Sequence, residues 1–137
     1  MGLYNKPTLV NNVETISSVP WIINNSGKEY SKLGVEGSTG TRIFSLSGHV
    51  NNPGNFEIEM GKTFEEFIYT FGNGIKNNKS VKAYIPGGAS APWFTGDQLD
   101  IKMTIDDVAN AGSMLGSGAV VVMDENTNLV YAAKSIV

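Results

Sequence analysis

The residue types that best suit acid–base chemistry are His49 and a pair of carboxylates that are neighbours in sequence, Asp106 and Asp107. His49 is the only histidine, and a general base requires a nucleophile or an orienting carboxylate beside it. The sequence places neither next to His49, so a hydrogen-bonding role near the end of a strand is the favoured interpretation. The two aspartates follow Thr104 in the first turn of a predicted helix, where negative charge is favourable in any case. We therefore interpret them as capping residues rather than as a catalytic pair.

Two other stretches have the composition of phosphate-binding segments. Residues 112–118 (Gly-Ser-Met-Leu-Gly-Ser-Gly) precede a predicted strand, whereas a dinucleotide-binding loop follows a strand and opens a helix. A flexible connection is therefore the favoured interpretation. Asn11 and Asn12 stand at the start of another predicted helix, with Glu14 three residues after Asn11 as its capping partner. A helix N-terminus can also bind a ligand phosphate, so both roles stay open for these asparagines, with capping favoured.

Composition excludes several other classes of function. The 137 residues include no cysteine, so the sequence offers no disulfide framework and no thiolate for zinc or an iron–sulfur cluster. The net charge is −3, and no basic run is present, which argues against nucleic acid and anionic membranes as direct partners. The longest wholly apolar run is Ala119–Met123, far short of the ~20 residues of a membrane helix. We therefore expect no direct membrane insertion.

A strand–turn–strand–helix unit over residues 41–72 is the clearest structural pattern. Residues 41–47 and 55–60 predict an antiparallel hairpin, because apolar residues alternate with glutamates in the second strand. Pro53 and Gly54 predict a type II turn with a positive φ at Gly54. A capping box at Thr63–Glu66 predicts the helix that follows, and Gly72 is expected to end it in the left-handed conformation. The apolar stripe of this helix consists of Phe64, Phe67, Ile68 and Phe71.

The remaining pattern predicts strands and short helices around this unit. Val81–Ile85 predicts a third strand with Val81, Ala83 and Ile85 facing inward. Residues 104–111 predict a capped helix with Ile105, Val108 and Ala109 on one face, and Gly112 as its stop. Ala119–Met123 predicts a strand that is covered on both faces. An amphipathic helix from residue 127 reaches the end of the sequence without a cap, so we expect the sequence to be part of a longer protein.

These elements predict an α+β fold. We expect a β-grasp (ubiquitin-like) sheet of about four strands with packed helices. A helical lead-in, with a helix break at Pro20 and a loop over residues 34–40, is expected before it, and a truncated helix after it. The predicted boundaries are 1–40 for the lead-in, 41–125 for the β-grasp domain and 126–137 for the start of a further helical domain.

Four stretches resemble the NADH-binding, FMN-bearing flavoprotein subunit of respiratory complex I. Residues 2–15 (Gly-Leu-Tyr-Asn-Lys-Pro-Thr-Leu-Val-Asn-Asn-Val-Glu-Thr) resemble the segment that closes its flavin domain. Residues 44–54 (Phe-Ser-Leu-Ser-Gly-His-Val-Asn-Asn-Pro-Gly) resemble the start of its soluble-ligand-binding β-grasp (SLBB) domain. Residues 85–88 and 111–125 resemble the later part of that domain. The resemblance covers nearly the whole sequence.

The resemblance implies a part of an oxidoreductase, NADH:quinone oxidoreductase (NADH dehydrogenase). The family passes electrons from NADH through FMN to a 4Fe–4S cluster and on to quinone in the respiratory electron-transport chain. Its glycine-rich nucleotide region lies upstream of the segment matched here, and its cluster-binding cysteines lie downstream. The 137 residues alone are therefore expected to lack a complete active site. We assign them no catalytic residue and no metal ligand, and we expect neither FMN nor the cluster to bind them tightly.

The resemblance also implies cofactor-facing residues and partners. Asn11 and Asn12, together with Val10 and Thr15, correspond to residues at the FMN edge of the complete subunit, near the ribityl phosphate. The implied partners are the rest of the flavin subunit and the 24-kDa-type iron–sulfur subunit. The implied location is the peripheral arm of complex I, on the cytoplasmic face of the bacterial inner membrane or the mitochondrial matrix side. The β-grasp domain is expected to brace the flavin domain against the cluster domain.

Two alternatives remain at this point. The first is the diaphorase subunit of an NAD-reducing hydrogenase or formate dehydrogenase, because these enzymes share the same modules. The second is a free-standing β-grasp module that binds a small ligand. The second alternative gives no reason for the Asn-Asn-Val-Glu-Thr sequence of residues 11–15, and we therefore rank it below the other two.

Overall fold

The computed structural model describes residues 2–136. Residue 1 of the predicted lead-in and residue 137 of the predicted C-terminal segment lie outside this range. The lead-in starts with a short 3-10 helix (Leu3–Asn5) and continues with helix α1 (Val13–Asn25). Its N-cap is Asn12, whose side chain accepts a hydrogen bond from the Glu14 amide, so the prediction of Asn11 as the cap is wrong by one residue. The helix continues through Pro20 instead of breaking there. The carbonyl that loses its partner belongs to Ile16, which is 53% exposed and open to water.

The chain then turns back through a second short helix and a small hairpin. Helix α2 (Gly27–Tyr30) follows a sharp turn at Ser26. Strands β1 (Gly34–Val35) and β2 (Ser38–Thr39) pair with each other in antiparallel fashion. The stretch predicted to be a loop is therefore a two-stranded hairpin, too short to show the alternation from which a strand is predicted.

Strands β3 (Thr41–Gly48) and β4 (Gly54–Glu59) form the predicted antiparallel hairpin. The type II turn at Pro53 and Gly54 is wrong, because Gly54 already belongs to β4 and pairs with Leu46. The positive φ of this connection lies at Gly48 (φ 91). A Cβ atom at Gly48 would lie 2.1 Å from the Val122 carbonyl oxygen, so a close approach to a neighbouring strand requires glycine there.

Helix α3 (Phe64–Glu66) begins with the predicted capping box and runs into a π-helical turn at residues 67–71. Gly72 has a right-handed φ of −77, so the prediction of a left-handed end at this residue is wrong. Glycine is needed at Gly72 for packing instead, since a Cβ atom would lie 2.6 Å from the Leu46 side chain. The left-handed conformation occurs at Asn73 and Gly74.

The remaining strands complete one mixed sheet, and two further helices lie between or after them. They are β5 (Val81–Ile85), β6 (Phe94–Thr95), α4 (Ile105–Asn110), β7 (Ala119–Asp124) and α5 (Leu129–Ile136). The strand order is β4-β3-β7-β5-β6. β3 and β7, the first and last strands of this sheet along the chain, pair in parallel at its centre. This order, with a helical segment after the first hairpin, is the β-grasp arrangement, and it has one short strand more than the predicted four.

The main core lies between one face of the sheet and the α3 segment. Phe64, Phe67 and Ile68 are fully buried there, which confirms the predicted stripe. Tyr84 is also fully buried in this core, and its hydroxyl donates to the Gln98 carbonyl. Burial raises the pKa of the Tyr84 hydroxyl well above its usual value.

The opposite face of the sheet carries a smaller core under α5. Ala83 and Ile85 pack there with Leu129 and Ala132. A register shift between Val81 and Ala83 leaves Val81 in the main core, so the predicted common face of these three strand residues is wrong. The β-bulge at this register shift changes the face of the sheet to which the following side chains point.

Candidate functional site

An open cleft of about 760 Å³ lies where the lead-in meets the sheet. Residues of α1 from its N-cap Asn12 to Ile22 form one wall of this cleft, and β2 with the start of β3 forms another. Ile105 of α4 also lines the cleft and is 63% exposed. Of the three residues predicted to share one face of α4, only Val108 is buried, because this six-residue helix turns Val108 alone fully inward.

The cleft brings together two of the four residues that the resemblance assigns to the FMN edge. Asn12 and Thr15 both line it, because positions three apart in a helix project to the same side. Asn11 and Val10 are not among its lining residues; they precede the helix, and Val10 is 88% exposed.

Helix capping fixes the orientation of the Asn12 amide. The Oδ1 atom of Asn12 accepts from the Glu14 amide at 2.8 Å. Within residues 2–136 the Asn12 Nδ2 group makes no hydrogen bond, so its two donors stay available to a ligand. The positive end of the helix dipole adds to the attraction for an anion at this position.

Arg42, the only arginine of the chain, lies across the cleft from α1. Its guanidinium lies 5.6 Å from the centre of the Phe44 ring and donates a hydrogen bond to the Gly116 carbonyl. Arg42 belongs to none of the motifs identified from the sequence. The sequence feature that could have indicated its position is that Arg42 lies two residues before Phe44 in β3, and therefore on the same face of the strand.

The glycine-rich segment 112–118 is a connection that packs against the backbone at Gly87, and its flexibility stays a prediction. Gly112 (φ 91) ends α4 as predicted. A Cβ atom at Gly116 would lie 2.2 Å from the Gly87 carbonyl oxygen, and the Ser117 amide donates to that same oxygen. The glycines therefore allow two backbone segments to pack together, and nothing in this geometry resembles a phosphate loop.

His49 takes the predicted hydrogen-bonding role. Its Nδ1 atom accepts from the Asp124 amide at 3.1 Å and lies 3.3 Å from the Thr127 hydroxyl. The Asp124 carboxylate lies 3.3 Å from the same nitrogen, a proximity that the sequence could not show because 75 residues separate the two. Asp124 is 7% exposed and also pairs with Lys79 at 2.8 Å. The hydrogen bond from Lys79 lowers the pKa of Asp124 to about 2.

Asp107 takes part in the cap of α4, as predicted, whereas Asp106 lies in the first turn of this helix without a cap bond among the described residues. The Thr104 side chain accepts from the Asp107 amide at 3.0 Å and donates to the Asp107 carboxylate at 2.7 Å. In the part of the chain that the structure describes, no group of three or more His, Asp or Glu side chains could hold a metal ion. No helix among these residues is long and apolar enough to cross a bilayer.

The fold and the cleft define a β-grasp domain joined to a helical lead-in. No protein-family model matches the chain. The chain is 41% identical to the F subunit of the NADH-quinone oxidoreductase of Rickettsia felis over 96% of its length. It is 40% identical to the second F subunit of Rhizobium meliloti and 40% identical to the F subunit of Buchnera aphidicola. Among solved structures, an NAD+-reducing NiFe-hydrogenase in the air-oxidized state superposes with a TM-score of 0.76 and 26% identity over 95% of this chain.

The chain is homologous to a segment of the F subunit of NADH-quinone oxidoreductase, and the resemblance seen in the sequence is confirmed. The chain spans 30–32% of the length of these three relatives and 21% of the hydrogenase chain. The relatives are components of an oxidoreductase.

Proposed function

We propose that this chain is the part of an NADH:quinone oxidoreductase flavoprotein subunit that joins the flavin domain to the iron–sulfur domain. The carrying observation is the identity of 41% over 96% of the chain, which includes the helix start at the cleft. In this proposal residues 1–40 close the flavin domain, 41–125 form the SLBB domain and 126–137 begin the cluster domain. The β-grasp domain braces its two neighbours and performs no chemistry itself.

FMN is the cofactor that the start of α1 is suited to contact in the complete subunit. Asn12 and Thr15 line one cleft, and amides of the first helical turn favour a phosphate. Asn11 and Val10 extend this contact along the preceding backbone. When bound, FMN accepts hydride from NADH and passes single electrons onward. The residues of this chain orient the cofactor's polar edge, while the nucleotide pocket and the cluster ligands come from other parts of the subunit.

The proposal also assigns partners and a location. The exposed apolar side chains of the lead-in contact the rest of the flavin subunit, and the assembled subunit contacts the 24-kDa-type iron–sulfur subunit. The assembly lies in the peripheral arm of complex I, at the cytoplasmic face of the inner membrane or its mitochondrial equivalent. The 137-residue chain alone should not reduce ferricyanide with NADH; measurable turnover would contradict the assignment of the active site to other parts of the subunit.

Substitutions at Asn12 in a complete subunit that carries this segment test the FMN contact. Asn12→Asp keeps the helix cap but replaces the amide donors with a negative charge. We expect it to weaken FMN binding at least about tenfold, measured by fluorescence titration of the flavin-free subunit. Asn24→Asp, an exposed change near the other end of the same helix, is the matched control. Unchanged FMN affinity in the Asn12→Asp variant would contradict the proposed contact.

A second candidate function has one observation in its favour. The superposition with an NAD+-reducing hydrogenase suits a diaphorase subunit, which uses the same flavin chemistry with a different electron acceptor. The genes that neighbour the coding sequence decide between the two candidates. Genes for complex I membrane subunits support the first, and genes for a hydrogenase or formate dehydrogenase support the second.

A further inference from the structure

We propose that Glu14 is a positioning residue that holds the cofactor-facing start of α1 against the β-grasp sheet. This inference rests on the proposed function for its consequence but not for its geometry. The Glu14 side chain is half-buried, and its Oε1 atom accepts a hydrogen bond from the Ile43 amide at 2.7 Å. Within residues 2–136 this is the only hydrogen bond between α1 and the chain after residue 39.

The Ile43 amide needs this partner because the sheet ends beside it. The Ser45 amide donates to the Gly118 carbonyl at 3.0 Å, just before β7 begins at Ala119. Amides two residues apart in a strand point to the same side, so the Ile43 amide points past the end of β7. The Glu14 carboxylate takes the place of the missing strand, and a hydrogen bond to a charged acceptor is stronger than one between neutral groups.

The same glutamate fixes the Asn12 side chain. The Glu14 amide donates to Asn12 Oδ1 at 2.8 Å, while the Glu14 carboxylate holds β3. The two bonds form a continuous link from the strand through Glu14 to the cap. Because Oδ1 is committed to this link, the Nδ2 donors of Asn12 are directed away from it. A shift of α1 relative to the sheet would therefore move these donors directly.

Apart from this link, α1 packs mainly against α2, where the rings of Trp21 and Tyr30 have centroids 5.7 Å apart. The half-buried residues of α1 form one stripe at a spacing of four, Glu14, Ser18 and Ile22. Ser18 receives only a long hydrogen bond of 3.4 Å from Tyr30, and no residue of α1 is buried. With so little packing, one charge-assisted hydrogen bond is a large share of what orients the helix.

Amide hydrogen exchange on the 137-residue chain tests the geometry without any cofactor. In Glu14→Ala we expect exchange of the Ile43 amide to accelerate roughly tenfold, while the core amide of Val122 is unchanged. Glu14→Gln keeps an acceptor oxygen and should restore most of the protection. Glu36→Ala, at an exposed glutamate of the β1–β2 turn, is the matched control and should change neither amide. Unchanged Ile43 exchange in Glu14→Ala would overturn the proposal.

FMN affinity in the complete subunit tests the consequence. Glu14→Ala should weaken FMN binding roughly tenfold, Glu14→Gln should recover it, and Glu36→Ala should have no effect. If Asn12→Asp weakens FMN binding but Glu14→Ala does not, the positioning role is overturned and the proposed function stands. If neither changes FMN binding, the proposed FMN contact fails, and with it the cofactor consequence for Glu14, while the exchange result still decides the structural link.

Discussion

The lead-in and the sheet domain differ in how they keep their structure. None of residues 2–39 is buried, and the lead-in exposes large apolar side chains, with Val13 and Ile23 each 76% exposed. Residues 40–124 instead enclose a core around Phe44, Phe64 and Phe67, all fully buried. An amphipathic helix with an uncovered apolar face gains little from folding alone. The sheet domain therefore holds itself together through its core, whereas within the described residues the lead-in is held by a few polar contacts and little burial.

The largest expected effect is on the core. Phe67→Ala should cost roughly 3–5 kcal/mol of unfolding free energy, because it leaves a cavity among buried aromatic rings. The Phe67 ring packs edge-on against Phe44 and Phe56, with centroids 5.9 Å away in each case. Urea unfolding followed by fluorescence measures the change. Tyr69→Ala, at a residue 44% exposed on the same segment, is the control, and equal losses in the two variants would contradict the assigned core face.

The next largest effect is expected from glycine substitutions, which compare one glycine of the sheet domain with one glycine of the lead-in at a similar φ. Gly48→Ala combines a strained φ of 91 with a contact of 2.1 Å to the Val122 carbonyl oxygen, and should cost more than about 2 kcal/mol. Gly37 in the lead-in hairpin has a φ of 79 but nothing within 4 Å of an added Cβ atom. Gly37→Ala should therefore cost only the backbone strain, about 1 kcal/mol. Thermal melts of both variants measure the difference, and equal shifts would show that the close approach to β7 is absent.

Acid titration probes the ion pair at the end of β7. The folded pKa of Asp124 is about 2, below its ordinary value of 3.8, so its ionised form stabilises the fold. This contribution is fully present above about pH 4 and is lost as the pH falls from about 4 to about 2. We expect wild type to be more stable than Asp124→Asn above about pH 4, with the gap narrowing toward about pH 2. A gap that is constant with pH would contradict the lowered pKa of this carboxyl.

The smallest effect is expected on the lead-in surface. Ile23→Ser should change the unfolding free energy of the 137-residue chain by less than about 0.5 kcal/mol, because the side chain is already 76% exposed. Ile68→Ser, at a fully buried residue, is the contrasting change and should be severely destabilising. The same chemical denaturation measures both. A large loss in Ile23→Ser would break the comparison, since it would show that the lead-in packs on the sheet domain.

Local sequence patterns predicted most helices and strands. The features that were not predicted depend on contacts between segments distant in sequence. The capping box at Thr63 and the stripe of Phe64, Phe67 and Ile68 depend on residues within two helical turns, so the sequence was sufficient. Strand β6 contains only two residues and exists because β5 is beside it, which no local period reveals.

The residues of the candidate site also fall into two groups, those that the sequence indicated and those that only the structure shows. The sequence marked Asn12 and Thr15 through a helix start and a family resemblance, and both line the cleft. The sequence alone did not mark Arg42 or the Ile43 amide as part of this region. Their roles arise where β3 extends past the start of β7, and that offset is a property of strand register. The FMN contact itself remains a prediction.

The parallel pairing of β3 with β7 also determines how the chain can fold as it is made. Ser47 and Val120, which meet at the centre of the sheet, are separated by 73 residues. At roughly 5–20 residues per second, about 4–15 s pass between their synthesis. During that interval the β3–β4 hairpin has emerged with its inner edge unpaired, in a form that can pair with another chain. A nascent chain paused between β4 and β7 should therefore be bound by chaperones that recognise exposed strands, and should lose that binding once β7 is complete.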